Sequence, residues 1–270
     1  MPGLPAIVQE RFDVLRETGD LPLPLLPEGV TRILAILDRP ACGAREVTEV
    51  IRTDPSLAAH VLRVASSPIY ARGTRVVSLQ QMIAQLGFAE LRRIALVVAT
   101  GSRTFSVRGF EAEVRGSFVH SVATALFALE IARTRRRGVD EAFLAGLLHD
   151  IGRPVVITIL ADLHREAGIA PDRSAVGEAV AEAHAAVGAS LIEAWKLPQK
   201  IAETVRTHHD VAMGELSNVI ALADALAHVA LDSAPPPAPD LGARLDLYPE
   251  DVEAIVAKLP DIRASVESFA

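Results

Sequence analysis

Residues 144–156, LAGLLHDIGRPVV, place a histidine and an aspartate side by side, His149 and Asp150, within an apolar, helix-like run. A core would prefer Leu or Val at both positions. Imidazole nitrogen and carboxylate oxygen are ligands for a metal ion, and they can equally satisfy one another as a buried polar pair. Adjacent residues of a helix diverge by roughly 100°. The doublet can therefore share an ion only off the helix flank, with neighbouring helices supplying the other ligands.

Four segments offer such ligands on apolar faces. In SFVHSVATALFALEIA, His120 lies on the face of Ala123 and Phe127. In AHAAVGASLIEAW, His184 precedes Val187, Gly188 and Leu191 by three, four and seven positions. In PQKIAETVRTHHD, His208 follows Ile201 by seven and Val205 by three, with His209 beside it. In LSNVIALADALAH, Asp224 comes four after Ile220 and three before Ala227. Burying such groups alone costs about a few kcal/mol each, and more for a charge. Taken together, His120, His149, Asp150, His184, His208 and Asp224 either satisfy one another or share a cation.

A lone histidine on an apolar face is more often a satisfied core residue than a ligand. His60, His164 and His228, which lack comparable company in the sequence, read as ordinary core or surface residues. A nitrogen and oxygen set of this kind suits an octahedral divalent ion such as iron, manganese, nickel or magnesium. The single cysteine, Cys42, excludes a thiolate-rich zinc site and an internal disulfide, and fits a reducing compartment.

The elements that must position these residues read as helices. Val30, Ile33, Leu34 and Leu37 follow the i, i+3, i+4, i+7 stripe of a half-buried helix. Asp54-Pro55 reads as an N-cap with proline at the first helical position, opening PSLAAHVLRVASS. Ser78 and Gln81 form a capping-box pattern before QQMIAQL, and Gly87 suits the position after that helix. Asp140 is expected to cap EAFLAGLLHDI. The prolines of SAPPPAPD (233–240) cannot continue a helix and read as a stiff, extended connector. Beyond it, Val252, Ile255, Val256 and Leu259 share one face of a last amphipathic segment that breaks at Pro260.

The expected organisation is thus an N-terminal helical segment (1–16), a helical subdomain (17–110), a second helical group (111–232), a Pro-rich linker (233–240) and a C-terminal amphipathic segment (241–270). Half of the 270 residues are hydrophobic, enough for a substantial core. No signal peptide is read at MPGLPAIVQERFD, and no apolar run reaches the roughly 18–20 residues that a membrane span requires. A formal charge of −7 disfavours nonspecific binding to nucleic acid. A cytoplasmic protein without a membrane segment is expected.

The order H…HD…H…HH…D on successive helices resembles the HD superfamily of metal-dependent phosphohydrolases. The first half is similar to the HDOD domain, the HD-related output domain of bacterial signalling proteins. It shows Asp54-Pro55-Ser56-Leu57, Ser66-Ser67-Pro68-Ile69-Tyr70 (Ser66 where the family commonly has asparagine) and Leu86-Gly87 through Leu91. The resemblance covers about residues 17–232. It implies an all-α fold, a helical N-terminal subdomain packed on an HD-like bundle. By that resemblance His120 matches the first histidine, His149-Asp150 the doublet and Asp224 the closing aspartate, while His184 and His208 match the additional histidines of binuclear members. One or two divalent ions would then be bound. Cyclic-di-GMP hydrolases of the HD-GYP type continue with a glycine-tyrosine-proline motif; HHDVAMGELSN lacks it. Arg153 stands where many HD enzymes have lysine.

The reading favoured by the sequence is a regulatory signalling module with a metal-binding pocket, acting through a protein partner, with a nucleotide or other phosphoester as a ligand. The alternative is a working phosphodiesterase. A helical scaffold with a vestigial site is a third, weaker reading.

Overall fold

Apolar residues spaced for helical faces yield helices throughout, with no strand among the described residues. The computed structural model describes residues 3–39, 42–65, 78–101, 107–210, 214–232 and 234–269. Helix α1 (Ala6–Thr18) is followed by α2 (Glu28–Leu37), α3 (Ala44–Arg52), α4 (Pro55–Ala65), α5 (Leu79–Leu86) and α6 (Phe88–Thr100). Then come α7 (Glu111–Thr134), α8 (Val139–Leu148), α9 (Gly152–Ala167), α10 (Arg173–Ala194), α11 (Gln199–Arg206) and α12 (Glu215–Asp232). Helices α13 (Pro239–Ala243), α14 (Pro249–Val256) and α15 (Leu259–Phe269) follow.

Local signals set several helix ends. Asp54 Oδ1 accepts the Leu57 amide at 3.0 Å, and Ser78 Oγ accepts that of Gln81 at 3.2 Å. Gly87, at φ +78° and ψ 164°, adopts a positive-φ extended conformation that ends α5 and starts α6 at once and that glycine reaches without strain. The Ser66–Tyr70 motif lies outside the described residues. Asp140 is not the cap of α8. Gly138 turns the chain in the left-handed region, so the helix starts earlier and Asp140 falls in its first turn. There its carboxylate complements the helix dipole and accepts from Arg93 Nη2 at 2.6 Å, tying α6 to α8. Residues 235–238 are non-helical, but α13 opens at Pro239, within the stretch expected to be extended. Proline at a first helical turn loses no hydrogen bond, which makes this possible.

Helices α2 to α6 pack on one another, and α6 meets the second group at α8. In that group α7 packs on α8 and α12, while α10 packs on α9 and α11. Helix α1 lies against α9, burying Val8 and Phe12, with Arg11 and Glu166 paired at 2.6 Å. Helix α15 reaches back to α7 and α4.

The expectation about apolar length needs correction. Glu111–Thr134, Arg173–Ala194 and the joined α8–α9 run Val139–Ala167 are each long and apolar enough to cross a membrane by length and composition. Polar residues such as His120, Asp150 and His184 interrupt those runs in the sequence without lowering their mean hydropathy enough. In the fold, 83% of the most apolar stretch of Val139–Ala167 is buried, against 61% for Arg173–Ala194 and 50% for Glu111–Thr134.

Two close approaches hold the bundle around the HD doublet. Pro154 has no amide to offer the carbonyl of Asp150, so the helix breaks there and the Arg153 amide donates to that carbonyl instead, at 2.9 Å. His149 and Asp150 therefore occupy the joint between α8 and α9. Next to it, Gly152 lies so near α10 that a Cβ would stand 1.9 Å from the His184 carbonyl oxygen and 2.7 Å from the Gly188 nitrogen. Backbone cannot yield as a side chain does. Gly152→Ala is expected to destabilise by about 3 kcal/mol or more, the upper range for overpacking. Gly177→Ala, in open space on α10, is expected to be neutral or to stabilise by about 0.5–1 kcal/mol. Chemical denaturation of both variants checks the pair.

Glu130, nearly buried on α7, accepts hydrogen bonds from Arg133 and Lys258. Burial pushes its carboxyl up, but Lys258 and Arg133 outweigh that and hold it below the usual range. Its stabilising contribution is therefore present above the unfolded value of ~4.3 and lost as pH falls through the lower folded value. Glu130→Gln is expected to cost about 1 kcal/mol at neutral pH and to flatten the acid limb of a stability profile measured against pH.

Candidate metal centre

Helix α7 supplies His120, the α8–α9 joint His149 and Asp150, α10 His184, the end of α11 His208 and His209, and α12 Asp224 and His228. All six expected residues converge. His149, His184, His208 and Asp150 are buried, at 1%, 1%, 6% and 8% exposure. Imidazoles run through the centre as a row. Ring centroids are 4.5 Å apart for His228–His120, 5.5 Å for His120–His149, 5.3 Å for His149–His208 and 5.3 Å for His208–His184.

Backbone carbonyls fix the protonation of the buried rings. His149 Nδ1 donates to Gly146 O at 2.7 Å, His184 Nδ1 to Val180 O at 2.9 Å, and His208 Nδ1 to Val205 O at 2.6 Å. A carbonyl only accepts, so the proton of each neutral ring sits on Nδ1 and the Nε2 lone pair is left facing the centre. His184 Nε2 takes a hydrogen bond from His209 Nε2 at 3.0 Å. The Nε2 atoms of His149 and His208 are buried with no hydrogen-bond partner.

Asp150 faces both halves of the row. Its Oδ2 lies 3.7 Å from His149 Nε2, while its Oδ1 lies 3.3 Å from His184 Nε2 and 3.8 Å from His208 Nε2. Asp224 Oδ1 accepts from His120 Nε2 at 2.7 Å and lies 3.6 Å from His149 Nε2.

The charges follow from this geometry. Burial pushes Asp150 up, but His149 and Arg153 overcome it, and the carboxylate stays below its ordinary range. For Asp224, burial is again outweighed, here by the hydrogen bond from His120 and by the neighbouring His149, and it is held far below that range. Burial pushes His149 down, but Asp150 and Asp224 raise it overall. Burial dominates for His184, which is lowered, and for His208, which is lowered to about 4 with help from the charge of His149. The arrangement is two carboxylates among inward-facing imidazole nitrogens.

A family model of the HDOD domain matches residues 23–211, more than half of the chain. The chain belongs to the HDOD family. The crystal structure of a candidate metal-dependent phosphohydrolase from Shewanella amazonensis SB2B is similar to it at a TM-score of 0.74 and 22% identity, over 97% of this chain and 98% of that one. An HDOD domain protein of unknown function from Geobacter sulfurreducens gives 0.66 at 23% identity, over 97% and 99%. A candidate signal transduction protein from Marinobacter aquaeolei VT8 gives 0.67 at 24%, over 98% of this chain and 66% of that one. These likenesses establish the fold as an all-α, HD-like bundle. In sequence, an uncharacterized protein of Treponema pallidum (strain Nichols) is 23% identical over 203 residues, 70% of this chain but only 38% of that protein's length.

Two residues of this HDOD protein that sequence reasoning left out belong to the cluster. His209 joins His184 and His208, and His228 joins His120 and Asp224, each trio with donor atoms within 4.8 Å of one another. The signal for His228 was present, since it stands four residues after Asp224 on the same helix face. His164 is a core residue, as expected: its Nδ1 donates to Leu160 O at 2.8 Å, and it is absent from the donor trios among the described residues.

Do these residues fit a divalent ion? An unpartnered buried acceptor costs about 1–3 kcal/mol, and here the Nε2 lone pair of His208 faces the Asp150 carboxylate, which cannot donate to it. A cation satisfies lone pairs and carboxylates together, so the donor set fits. The same reasoning makes His208 a burden when no ion is bound. In chelator-treated protein His208→Leu is expected to raise stability by about 1–2 kcal/mol while weakening metal binding. Urea denaturation with and without added Mn²⁺ checks both effects.

Proposed function

We propose that this HDOD protein is a regulatory signalling module that binds one or two divalent ions at the His/Asp centre and a phosphoester, nucleotide-sized ligand beside it. The observation that carries this reading is the donor set brought together beside a cavity of about 710 Å³, whose lining includes two of its members, His120 and Asp150. His120, Asp150 and His228 form its polar end, Val119, Ile157, Val176 and Val180 contribute apolar wall, and Arg153 stands at the edge of the centre. That volume is within the usual range for small-molecule pockets. Iron, manganese, nickel and magnesium all suit the nitrogen and oxygen donors. The ligand-bound state would be read by a protein partner in the cytoplasm.

Binding is favoured over turnover by the supply of cations. Arg173 also lines the cavity, but Glu113 and the Gly109 carbonyl engage its guanidinium. Arg153 approaches Asp150 only at 3.6 Å and is left to meet a phosphate. Phosphoryl transfer needs groups that fix the phosphate for in-line attack, and a single arginine is a weak clamp. The missing glycine-tyrosine-proline motif points the same way.

A phosphohydrolase remains the second reading, and the split placement of the two Asp150 oxygens favours it, because one carboxylate then serves both halves of the centre. When bound, a divalent ion supplies Lewis acidity, polarising a phosphoryl oxygen and making water nucleophilic near neutral pH. His149, Asp150 and Asp224 would hold the ion, and Arg153 would orient the phosphate.

Chelator-stripped protein is expected to gain thermal stability on addition of Mn²⁺, Fe²⁺ or Ni²⁺, because an ion that binds only the native state stabilises it by mass action. Asp150→Ala is expected to abolish that gain. Loaded protein, assayed against cyclic dinucleotides, linear dinucleotides, nucleotides and an aryl phosphodiester, is expected to show no sustained turnover. Turnover lost in both Asp150→Ala and His149→Ala would establish the enzyme instead.

A further inference from the structure

Helix α12 carries Asp224 and, one turn later, His228. Residues four apart share a helix face, and His228 Nε2 accordingly lies 3.8 Å from Asp224 Oδ1. The ring also stands 4.5 Å from that of His120, a residue on a different helix. Another turn along, Asp232 Oδ2 accepts the Nδ1 proton of His228 at 2.7 Å. That bond fixes the tautomer and leaves the Nε2 lone pair on the side of Asp224 and His120. A carboxylate behind a histidine is how proteins orient a metal-ligating imidazole and raise its basicity. A surface ion pair would account for His228 and Asp232 alone. It would not account for the approach of the same ring to His120 and Asp224.

We propose that His228 is a fifth protein donor to the ion held by His120, His149, Asp150 and Asp224, with Asp232 as its positioning residue. The H…HD…D pattern contains neither residue. The inference rests on the metal-binding reading above and deepens it. His228 lines the cavity beside His120 and Asp150, so this donor stands between the centre and an arriving phosphoester. It takes one of the two positions that four donors leave free on an octahedral ion.

The test uses the full chain, stripped with chelator and titrated with Mn²⁺ and Co²⁺ by calorimetry, with the Co²⁺ absorption spectrum as a second readout. His228→Ala is expected to weaken the ion at least tenfold and to change the Co²⁺ spectrum, with the number of ions per chain unchanged. Asp232→Asn is expected to weaken it about tenfold, the lower end for loss of an orienting partner. His228 is half exposed, so its replacement leaves the core intact, and His228→Gln repeats the test with a polar side chain. Unchanged affinity and spectrum in the His228 variants would overturn the proposal while leaving metal binding standing. Loss of one whole ion per chain would overturn it too, by giving His228 an ion of its own. A wild-type chain that takes up no ion would overturn both readings at once.

Discussion

Three backbone carbonyls govern the chemistry of this protein. Gly146, Val180 and Val205 each accept the Nδ1 proton of a buried histidine, and each thereby turns an Nε2 lone pair toward one small volume. Without those bonds the rings could rotate or change tautomer and satisfy themselves elsewhere. With them, the buried Nε2 atoms of His149 and His208 have no hydrogen-bond partner among the described residues. The carbonyls belong to the same turns that carry the histidines, three or four residues back. The helices thus build both the ligand and the device that aims it.

That arrangement requires α8 to approach α7 closely, and the start of α9 to approach α10. Gly146 packs where a Cβ would meet the backbone of Ala125 at 2.9 Å, and Gly152 where it would meet α10. Glycine is needed at these positions for contact, not for backbone freedom. The break at Pro154 then places His149 and Asp150 at a joint, so neighbouring residues can serve one centre despite their divergence on a regular helix. Packing and chemistry share the same short segment, which is why a methyl group at Gly152 threatens both.

Electrostatics complete the centre. Asp150 remains ionised although buried, because His149 and Arg153 stand beside it, and the half-buried Asp224 remains so beside His120 and His149. His184 and His208 remain neutral because they are buried. Anionic oxygens beside neutral nitrogens are the states in which these side chains bind a cation. The cavity opens on the His120 and His228 side of the row, so a ligand meets that half first.

The amino-acid sequence by itself determined the helical class and the six polar residues on apolar faces, because helical periodicity is local and a misplaced His or Asp is visible in it. It also determined the caps at Asp54 and Ser78, which involve neighbours three residues away. It misjudged Asp140, since the left-handed turn at Gly138 decides where α8 starts, and it took the broken apolar runs as too short when their mean hydropathy is high. Only the tertiary structure decided that the six residues meet, that His209 and His228 join them, and that Arg173 is engaged by Glu113 while Arg153 is not. Those facts depend on distances between helices far apart in the chain. Spacing along one helix says which face a residue occupies, but not what stands opposite that face.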